Sequence, residues 1–190
     1  MRRPNETAKE RIIEATIREI EVHGLTDFSI RRVATECEIS CAAPYKHFKN
    51  KNTLILEVIR YINRRWTEVQ KKVILLHPGD FRAMITDICI AYIRFLSENP
   101  GYQAVVLLND SSMDEEQIRE KGKISAVTSD IIHHYCTSVH MSREVEMRKT
   151  YVVRSLLFGA VILLKNGSLE NTDATYEMIR ESIDREFDLP

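Results

Sequence analysis

Apolar residues along most of the chain recur every three or four positions, which is the spacing of one face of an α-helix. Asn5 or Thr7 precedes the first of these faces and can serve as its N-cap, and Gly24 follows its end. Alternation of apolar and polar residues, which indicates half-buried strands, does not occur over any convincing length. The pattern therefore predicts an all-α protein.

Capping and turn residues divide the rest of the pattern into segments. Ser29 and Ser40 precede two short apolar segments, and Asn50 precedes a longer one that extends to about Leu76. A short apolar segment covers residues 101–109. Four further helices are expected at about residues 80–98, 113–139, 142–165 and 172–187.

The length of the predicted helices changes near residue 50. Three short helices come first, and mostly long ones follow. We therefore expect two domains, residues 1–52 and residues 53–190. No internal repeat or low-complexity linker interrupts either of them.

The sequence SCAAPYKHFKNKNTL, residues 40–54, predicts a compact and basic corner. The second and third short helices are joined by the turn Cys37–Ile39, an arrangement that matches a helix-turn-helix. The third helix begins with the small side chains of residues 40–43, so its start can approach the floor of a DNA groove. Pro44 would be its fourth residue, where it removes only one main-chain hydrogen bond.

The side chains that follow suit contacts with phosphate groups. Tyr45 can offer its hydroxyl, and Lys46 and His47 lie at the rim of the corner. Asn50 and Lys51 place a helix N-terminus beside a cation, which favours an anion. The alternative is that Tyr45 is a core aromatic residue and that the lysines form a solvated face.

Charge is distributed unevenly along a chain whose net charge is −1. Residues 39–56 contain three lysines and no acid, whereas residues 168–190 contain seven acids and two arginines. This favours a local basic tip on a protein that is not basic overall. No apolar run approaches the roughly 20 residues that span a bilayer, and the N-terminus has no apolar signal core. We therefore expect no membrane partner and a cytoplasmic location.

Candidate catalytic and metal-binding groups are few. Cys37 and Cys41 are four residues apart, but no second close pair completes a zinc site with them. The motifs GxGxxG, GxxxxGK[ST], HExxH and GxSxG do not occur in the sequence. His133 and His134 near Asp130 could form a proton relay, but adjacent residues on a helix point about 100° apart. We expect neither an enzyme nor a bound metal or cofactor.

The run TAKERIIEATIREIEVHGLTDFSIRRVATECEISCAAPYKHFKNKNTLILEVI resembles the DNA-binding domain of the TetR family of bacterial transcriptional regulators. The resemblance covers roughly residues 7–60. Beyond residue 60 only the number and length of the helices fit the family. The matching elements, in order, are an N-terminal helix, Gly24, the cap at Ser29, the turn, and then Tyr45, Phe48, Lys51 and Leu54.

This resemblance implies DNA-binding roles for ten residues. Phosphate or capping roles fall to Ser29, Arg31, Tyr45 and Lys51, and groove-facing roles to Ser40, Cys41, Ala42 and Ala43, with Lys46 and His47 beside them. Glu38 stands where the family usually has a turn glycine, so we expect a positive φ at a residue with a side chain. Because Cys41 and Ala43 offer no strong donors, base readout would depend on Arg31, on thymine methyl contacts or on DNA shape.

The second domain is expected to form a homodimer through about residues 142–187. Residues 151–164 (YVVRSLLFGAVILL) are apolar nearly all round, which suits a helix held both by its own core and by a partner. Gly159 lowers helix propensity by about 1 kcal/mol relative to alanine, and a close approach of helices is one reason to retain it. The alternative is an ordinary buried helix in a monomer.

The resemblance also implies that the second domain encloses a pocket for a small-molecule effector, whose identity the sequence leaves open. Expected lining residues are Met84, Ile88, Tyr92, Phe95, Leu107, Tyr135, Arg154 and Phe158. Arg154 interrupts an apolar helix, so it either pairs with a carboxylate of the protein or of an acidic effector, or faces solvent.

The resulting expectation is a TetR-type regulator that binds a palindromic double-stranded operator as a dimer and is released by its effector. Repression is expected, although activation stays open. The alternative is an all-helical protein-interaction module that has lost specific DNA binding.

Overall fold

A computed structural model describes residues 7–107 and 113–188. Over these residues the chain forms eight α-helices, one 3-10 helix and no strand, which confirms the all-α prediction. In chain order the elements are α1 (Ala8–His23), α2 (Ile30–Glu36), the 3-10 helix (Pro44–Lys46), α3 (Lys51–Leu76), α4 (Phe81–Ser97), α5 (Pro100–Leu107), α6 (Glu115–Ser138), α7 (Arg143–Lys165) and α8 (Asp173–Glu186).

Polar side chains begin most of these helices at the predicted positions. Thr7 caps α1 in a capping box, in which its hydroxyl accepts from the Glu10 N–H and the Glu10 carboxylate accepts from the Thr7 N–H. Oδ1 of Asn50 accepts from the Thr53 N–H at 2.9 Å, as expected for the start of α3. Asp80 caps α4 in the same way. Asn5, the other candidate cap, lies outside the described residues.

The third predicted helix is much shorter than expected. Ser40 does not cap an α-helix, because Cys41 and Ala42 form a turn and only residues 44–46 are helical, with 3-10 geometry. Pro44 is the first residue of this helix instead of the fourth. It has no N–H to donate to Ser40, so the segment is held by short-range bonds such as that from the Ala43 N–H to the Ser40 carbonyl, at 2.9 Å.

The chain divides into two compact units, and the first comprises Met1–Arg65 and Asn99–Lys123. Within it α1 packs against α2 and α5 around a buried apolar core. α5 approaches α1 closely at Gly101, where an added β-carbon would lie 2.5 Å from Cγ2 of Ile17. Only glycine fits at this contact, since a clash this short forces the two helices apart.

The second unit comprises Trp66–Glu98 and Ile124–Pro190. In this unit α4 packs against α7 and α8, which also pack against each other. Trp66 is 1% exposed, and its ring centroid lies 5.4 Å from that of Tyr92 and 5.3 Å from that of Phe95. Its indole N–H donates to the Ile124 carbonyl at 2.9 Å, so the largest side chain of the unit is both packed and hydrogen-bonded.

These units do not divide where the expected domains do. The boundary expected after residue 52 is a functional one and stays a prediction, whereas the compact units change over at Arg65, within α3. None of the described helices combines the length and the apolar character needed to cross a membrane.

Candidate nucleic-acid interface

The turn after α2 is built around Glu38, whose φ is 57°. The Ile39 N–H donates to the Ala34 carbonyl, and the Glu38 N–H donates to the Thr35 carbonyl, both at 3.0 Å. These two bonds form a Schellman motif, in which the left-handed residue is most often glycine. The predicted positive φ at a non-glycine residue is confirmed, and the turn directs the chain from α2 towards residues 40–47.

The start of α2 is held by Glu19, a residue that the sequence pattern did not single out. Ser29 occupies the N-cap position, but its side chain makes no capping hydrogen bond, so its predicted capping role is wrong. Its N–H instead donates to Oε1 of Glu19 at 3.1 Å, and the same oxygen accepts from Nε of Arg32 at 2.6 Å. Glu19 is 6% exposed, so it reaches the start of the helix from inside the core.

Glu19 is ionised in spite of its burial. Burial raises the pKa of this carboxyl group, but the hydrogen bonds from Arg32 and from the Ser29 N–H outweigh it, and the pKa lies below its ordinary value. The negative charge therefore stays beside the N-terminus of α2, where the helix dipole favours an anion.

Arginines of α1 hold the other end of α2. Nη2 of Arg11 donates to the carbonyl of Cys37 at 2.9 Å, which satisfies a main-chain oxygen that the helix leaves unpaired. Arg18 pairs with Glu36 at 2.6 Å. Side chains of α1 thus fix both ends of α2, and the turn that follows starts from a rigid base.

The segment after the turn points its polar side chains outward. Pro44 and Phe48 are buried, and the Phe48 N–H donates to the Pro44 carbonyl at 2.9 Å. Between these anchors Tyr45 is 55% exposed, and Lys46 and His47 are exposed as well. Tyr45 is therefore not a core aromatic, and one short turn presents a phenol, an ammonium and an imidazole to the outside.

The small residues before this turn are placed as expected. Ser40, Cys41 and Ala42 are exposed and Ala43 is half-buried, so the main chain of this segment is accessible. Arg31 is exposed on α2. The structure thus leaves these five side chains available to a ligand, while their roles in DNA contact stay predictions.

Lys51 differs from the exposed residues predicted to bind DNA, because its side chain makes contacts within the protein. Its ammonium donates to the carbonyl of Leu25 at 3.3 Å and lies 5.1 Å from the centre of the Phe28 ring. The side chain is half-buried and binds the α1–α2 loop from α3. Lys51 therefore stabilises the loop. A DNA phosphate that bound its ammonium would share it with the Leu25 carbonyl.

The expected effector-lining residues fall into separate groups. Arg154 and Phe158 are exposed, and they line one cavity on α7. Tyr135 is half-buried, with its ring centroid 5.2 Å from that of Phe187. Leu107 is half-buried in the first compact unit. The remaining four are buried in the second unit, and they are Met84, Ile88, Tyr92 and Phe95.

The buried cation of α7 is Lys149 and not Arg154. Lys149 has 0% exposure, and its ammonium donates to the carbonyl of Glu186 at 2.6 Å. It also lies 5.6 Å from the centre of the Phe187 ring. The helical spacing of Lys149 with Val153 and Leu157 would have indicated its burial, since all three share one face.

Within the described residues, no group of three or more His, Cys, Asp or Glu side chains is arranged to hold a metal ion. Cys37, Cys89 and Cys136 are buried free thiols, and Cys41 is an exposed one. Burial raises the pKa of the Cys89 thiol well above its ordinary value.

Comparison with known proteins finds sequence similarity in the first part of the chain. Residues 12–58 match the model of the bacterial regulatory proteins of the tetR family. A segment of 53 residues is 43% identical to the uncharacterized HTH-type transcriptional regulator YerO of Bacillus subtilis (strain 168), and it covers 28% of this chain and 18% of that relative.

Solved structures extend the similarity to the fold of the whole chain. The TetR family transcriptional regulator PfmR from Thermus thermophilus has a TM-score of 0.72 and 18% identity, over 96% of each chain. FadR from Bacillus subtilis, solved in complex with stearoyl-CoA, has a TM-score of 0.74 and 13% identity, over 91% of this chain and 96% of that one. Residues 12–58 therefore resemble the tetR family of bacterial regulatory proteins in sequence, and the chain as a whole shares the fold of the solved TetR family transcriptional regulator PfmR.

Proposed function

We propose that this TetR-type regulator acts in the cytoplasm, binds an inverted-repeat operator as a homodimer and represses transcription until a small-molecule effector releases it. The observation that carries the DNA-binding part is the outward turn of residues 44–47. Its buried anchors, Pro44 and Phe48, hold Tyr45, Lys46 and His47 towards the outside. Hydroxyl and ammonium groups on a rigid turn suit phosphate contacts, and the accessible main chain of residues 40–43 suits a groove floor.

The charge of the first unit supports the same proposal. Residues 39–56 carry three lysines and no acid, and in α1 and α2 several acids near the turn are neutralised by arginines, as in the Arg18–Glu36 and Arg32–Glu19 pairs. Lys46 and Lys49 are exposed. The outward turn therefore presents excess positive charge to the phosphate backbone of DNA.

A dimer is supported by the apolar surface of α7 and α8. A groove of about 390 Å³ lies between these helices, and its lining includes Gly159, Leu163 and Met178. Leu163 is 40% exposed and Met178 is 49% exposed, while Tyr151 on the same groove is 72% exposed. A contiguous apolar surface of this kind marks a site of association. A β-carbon at Gly159 would meet nothing within 4 Å in a single chain, so the space beside it is open to a partner helix.

Control by an effector follows from linkage. A molecule that binds the second unit better in one arrangement of the DNA-binding domains must favour that arrangement, and DNA must weaken its binding reciprocally. α3 contributes residues to both compact units, so it is the element through which we propose that the change passes. FadR of Bacillus subtilis binds stearoyl-CoA in the same fold. That complex supports a small-molecule site in this chain without identifying the molecule.

The test is selection of random duplex DNA by the purified full-length protein at two salt concentrations. We expect an enriched inverted repeat whose affinity falls steeply with salt, because phosphate contacts release counterions. A single half-site would contradict the dimer, while the absence of enrichment at low salt would contradict operator binding by the free protein. Repeating a failed selection with cell extract then distinguishes a regulator that needs its effector from an interaction module that has lost DNA binding.

A further inference from the structure

One side of α7 also lines a second cavity, which shares Tyr151 and Ser155 with the α7–α8 groove. The cavity has a volume of about 570 Å³, and Ser129 of α6 lies opposite the α7 side chains that line it. Among these, Met147, Tyr151, Arg154 and Phe158 follow one another at helical spacing. The volume is in the range of small-molecule sites.

The lining combines an apolar wall with hydroxyl groups. Tyr151 is 72% exposed, Met147 is 64% exposed and Phe158 is 37% exposed, so three large side chains offer uncovered apolar surface. Ser129 and Ser155, which carry hydroxyl groups, line the same space. Such a wall binds an aromatic or aliphatic body, and the hydroxyl groups can orient a polar end.

The two charged groups of the cavity, Glu146 and Arg154, differ in whether a protein side chain pairs with them. Nδ1 of His133 lies 3.0 and 3.1 Å from the two carboxylate oxygens of Glu146, so this acid is already engaged. Within residues 7–107 and 113–188, no carboxylate pairs with Arg154. Arg154 is therefore the charged group of the lining that is left to pair with an anionic ligand.

Arg154 also interacts electrostatically with Tyr92 of α4. Burial raises the pKa of Tyr92 to about 12, and the positive charge of Arg154 works against that rise. Tyr92 is only 5% exposed, so the charge of Arg154 acts on a buried phenol. Arg154 and Glu146 are eight residues apart on α7, which places them about 12 Å apart along its axis. The cationic end is thus well separated from the acid.

We propose that this cavity binds a small organic monoanion, such as a carboxylate with an aromatic or aliphatic body. Arg154 binds the anionic group, and the wall of Met147, Tyr151 and Phe158 binds the body. This inference rests on the proposed function, because the anion would be the effector that acts on the regulator. It specifies the chemical class of that effector, which the fold alone leaves open.

The test uses three compounds with one body and different end groups, which are 4-phenylbutyrate, 4-phenyl-1-butanol and 4-phenylbutylamine. Each is titrated calorimetrically into the full-length protein. We expect the carboxylate to bind at least about tenfold tighter than the other two, because charge-assisted bidentate hydrogen bonds to arginine are strong. Arg154→Gln should abolish this difference and leave the binding of the alcohol unchanged. Because Arg154 is exposed, the variant should remain folded.

Two further variants separate the explanations. Lys165→Gln removes an exposed cation at the end of the same helix, outside the cavity, and should leave all three affinities unchanged. Phe158→Ala should weaken all three compounds together, since it shortens the apolar wall. Equal affinities of the three compounds in the parent protein and in Arg154→Gln would overturn the choice of an anion, while a small-molecule site would stand.

Other results would overturn the inference more completely. If none of the compounds binds, the cavity is not an effector site, and the operator selection decides independently whether the proposed function stands. If Arg154→Gln dissociates the protein in sedimentation, a second copy of the chain covers the cavity and the small-molecule assignment is wrong.

Discussion

The ammonium of Lys149, the first buried residue of α7, donates to the main-chain carbonyl of Glu186, the last residue of α8, at 2.6 Å. The end of a helix leaves carbonyl groups unpaired and carries partial negative charge, so a cation is favoured there. A fully buried lysine thereby joins the two helices that form the proposed dimer surface.

Removing this side chain should destabilise the second unit. We expect Lys149→Ala to lower the free energy of unfolding by about 2–4 kcal/mol, since it leaves a cavity and an unpaired carbonyl. Urea denaturation followed by circular dichroism measures the change. Lys165→Ala, at an exposed position of the same helix, is the matched control and should change stability by less than about 0.5 kcal/mol. An equal effect of both variants would show that the Lys149 contact contributes nothing specific.

Substitution of Glu38 by glycine should increase stability, in contrast to Lys149→Ala. Glu38→Gly should raise the free energy of unfolding by about 1 kcal/mol, because glycine has no β-carbon to oppose a φ of 57°. His140, with a φ of 58° at the end of α6, should behave in the same way when replaced by glycine. Thr35→Gly, within helix α2, should instead lower stability by about 1 kcal/mol. A loss of stability in Glu38→Gly would mean that the carboxylate makes a contact that outweighs the strain.

The pH dependence of stability should contain a contribution from Glu19. Its pKa in the folded protein is below the ordinary value, so the unfolded chain takes up a proton first as the pH falls. The stabilisation is therefore complete above the ordinary glutamate pKa of 4.5 and is lost as the pH falls through the lower folded value. Urea midpoints of the parent protein and of Glu19→Gln should differ at pH 7 and converge below pH 4.5.

Glu36→Gln is the control for this experiment, because its carboxylate is exposed and pairs only on the surface with Arg18. It should show a much smaller difference at pH 7. A gap between parent and Glu19→Gln that stays constant across the acid range would exclude ionisation of Glu19 as the source.

Substitutions of two lysines in the first unit should distinguish an effect on DNA binding from an effect on stability. Lys46→Gln should weaken operator binding and reduce the slope of log affinity against log salt by about 0.9 for each subunit, with no loss of stability. Lys51→Gln should lower stability as well, because its ammonium holds the carbonyl of Leu25. Fluorescence anisotropy with the selected operator at several salt concentrations provides the slopes, and Lys72→Gln on the exposed face of α3 serves as the control. Unchanged binding by Lys46→Gln would remove this residue from the interface.

A charge on the α7–α8 groove should dissociate the dimer. Leu163→Glu should raise the dimer dissociation constant by at least about a hundredfold, since a carboxylate would be buried without a partner. Sedimentation velocity over a range of protein concentrations measures the shift. Leu75→Glu, at a position that is 79% exposed on α3, introduces the same charge outside the groove and should leave the dimer intact. Dissociation by both variants would point to a general effect of charge.

Local sequence patterns were sufficient for much of the fold. Periods of three and four residues predicted the helices, and Thr7, Asn50 and Asp80 predicted where three of them begin, because capping depends on atoms within one turn. The positive φ at Glu38 was predicted from the resemblance to the TetR family, which usually has a glycine at this position. The third helix is shorter than predicted. Pro44 was expected to be its fourth residue, but it is the first residue of the 3-10 helix.

Contacts between distant segments were decided only by the tertiary structure. The spacing of residues along α1 could not show that Glu19 would accept hydrogen bonds from the Ser29 N–H and from Arg32, since this depends on how the two helices pack. The same applies to Lys51 and Leu25, and to Lys149 and Glu186, which are brought together from separate helices or loops. A helical pattern states which residues share a face, but burial of a polar group depends on the partner that folding places opposite it.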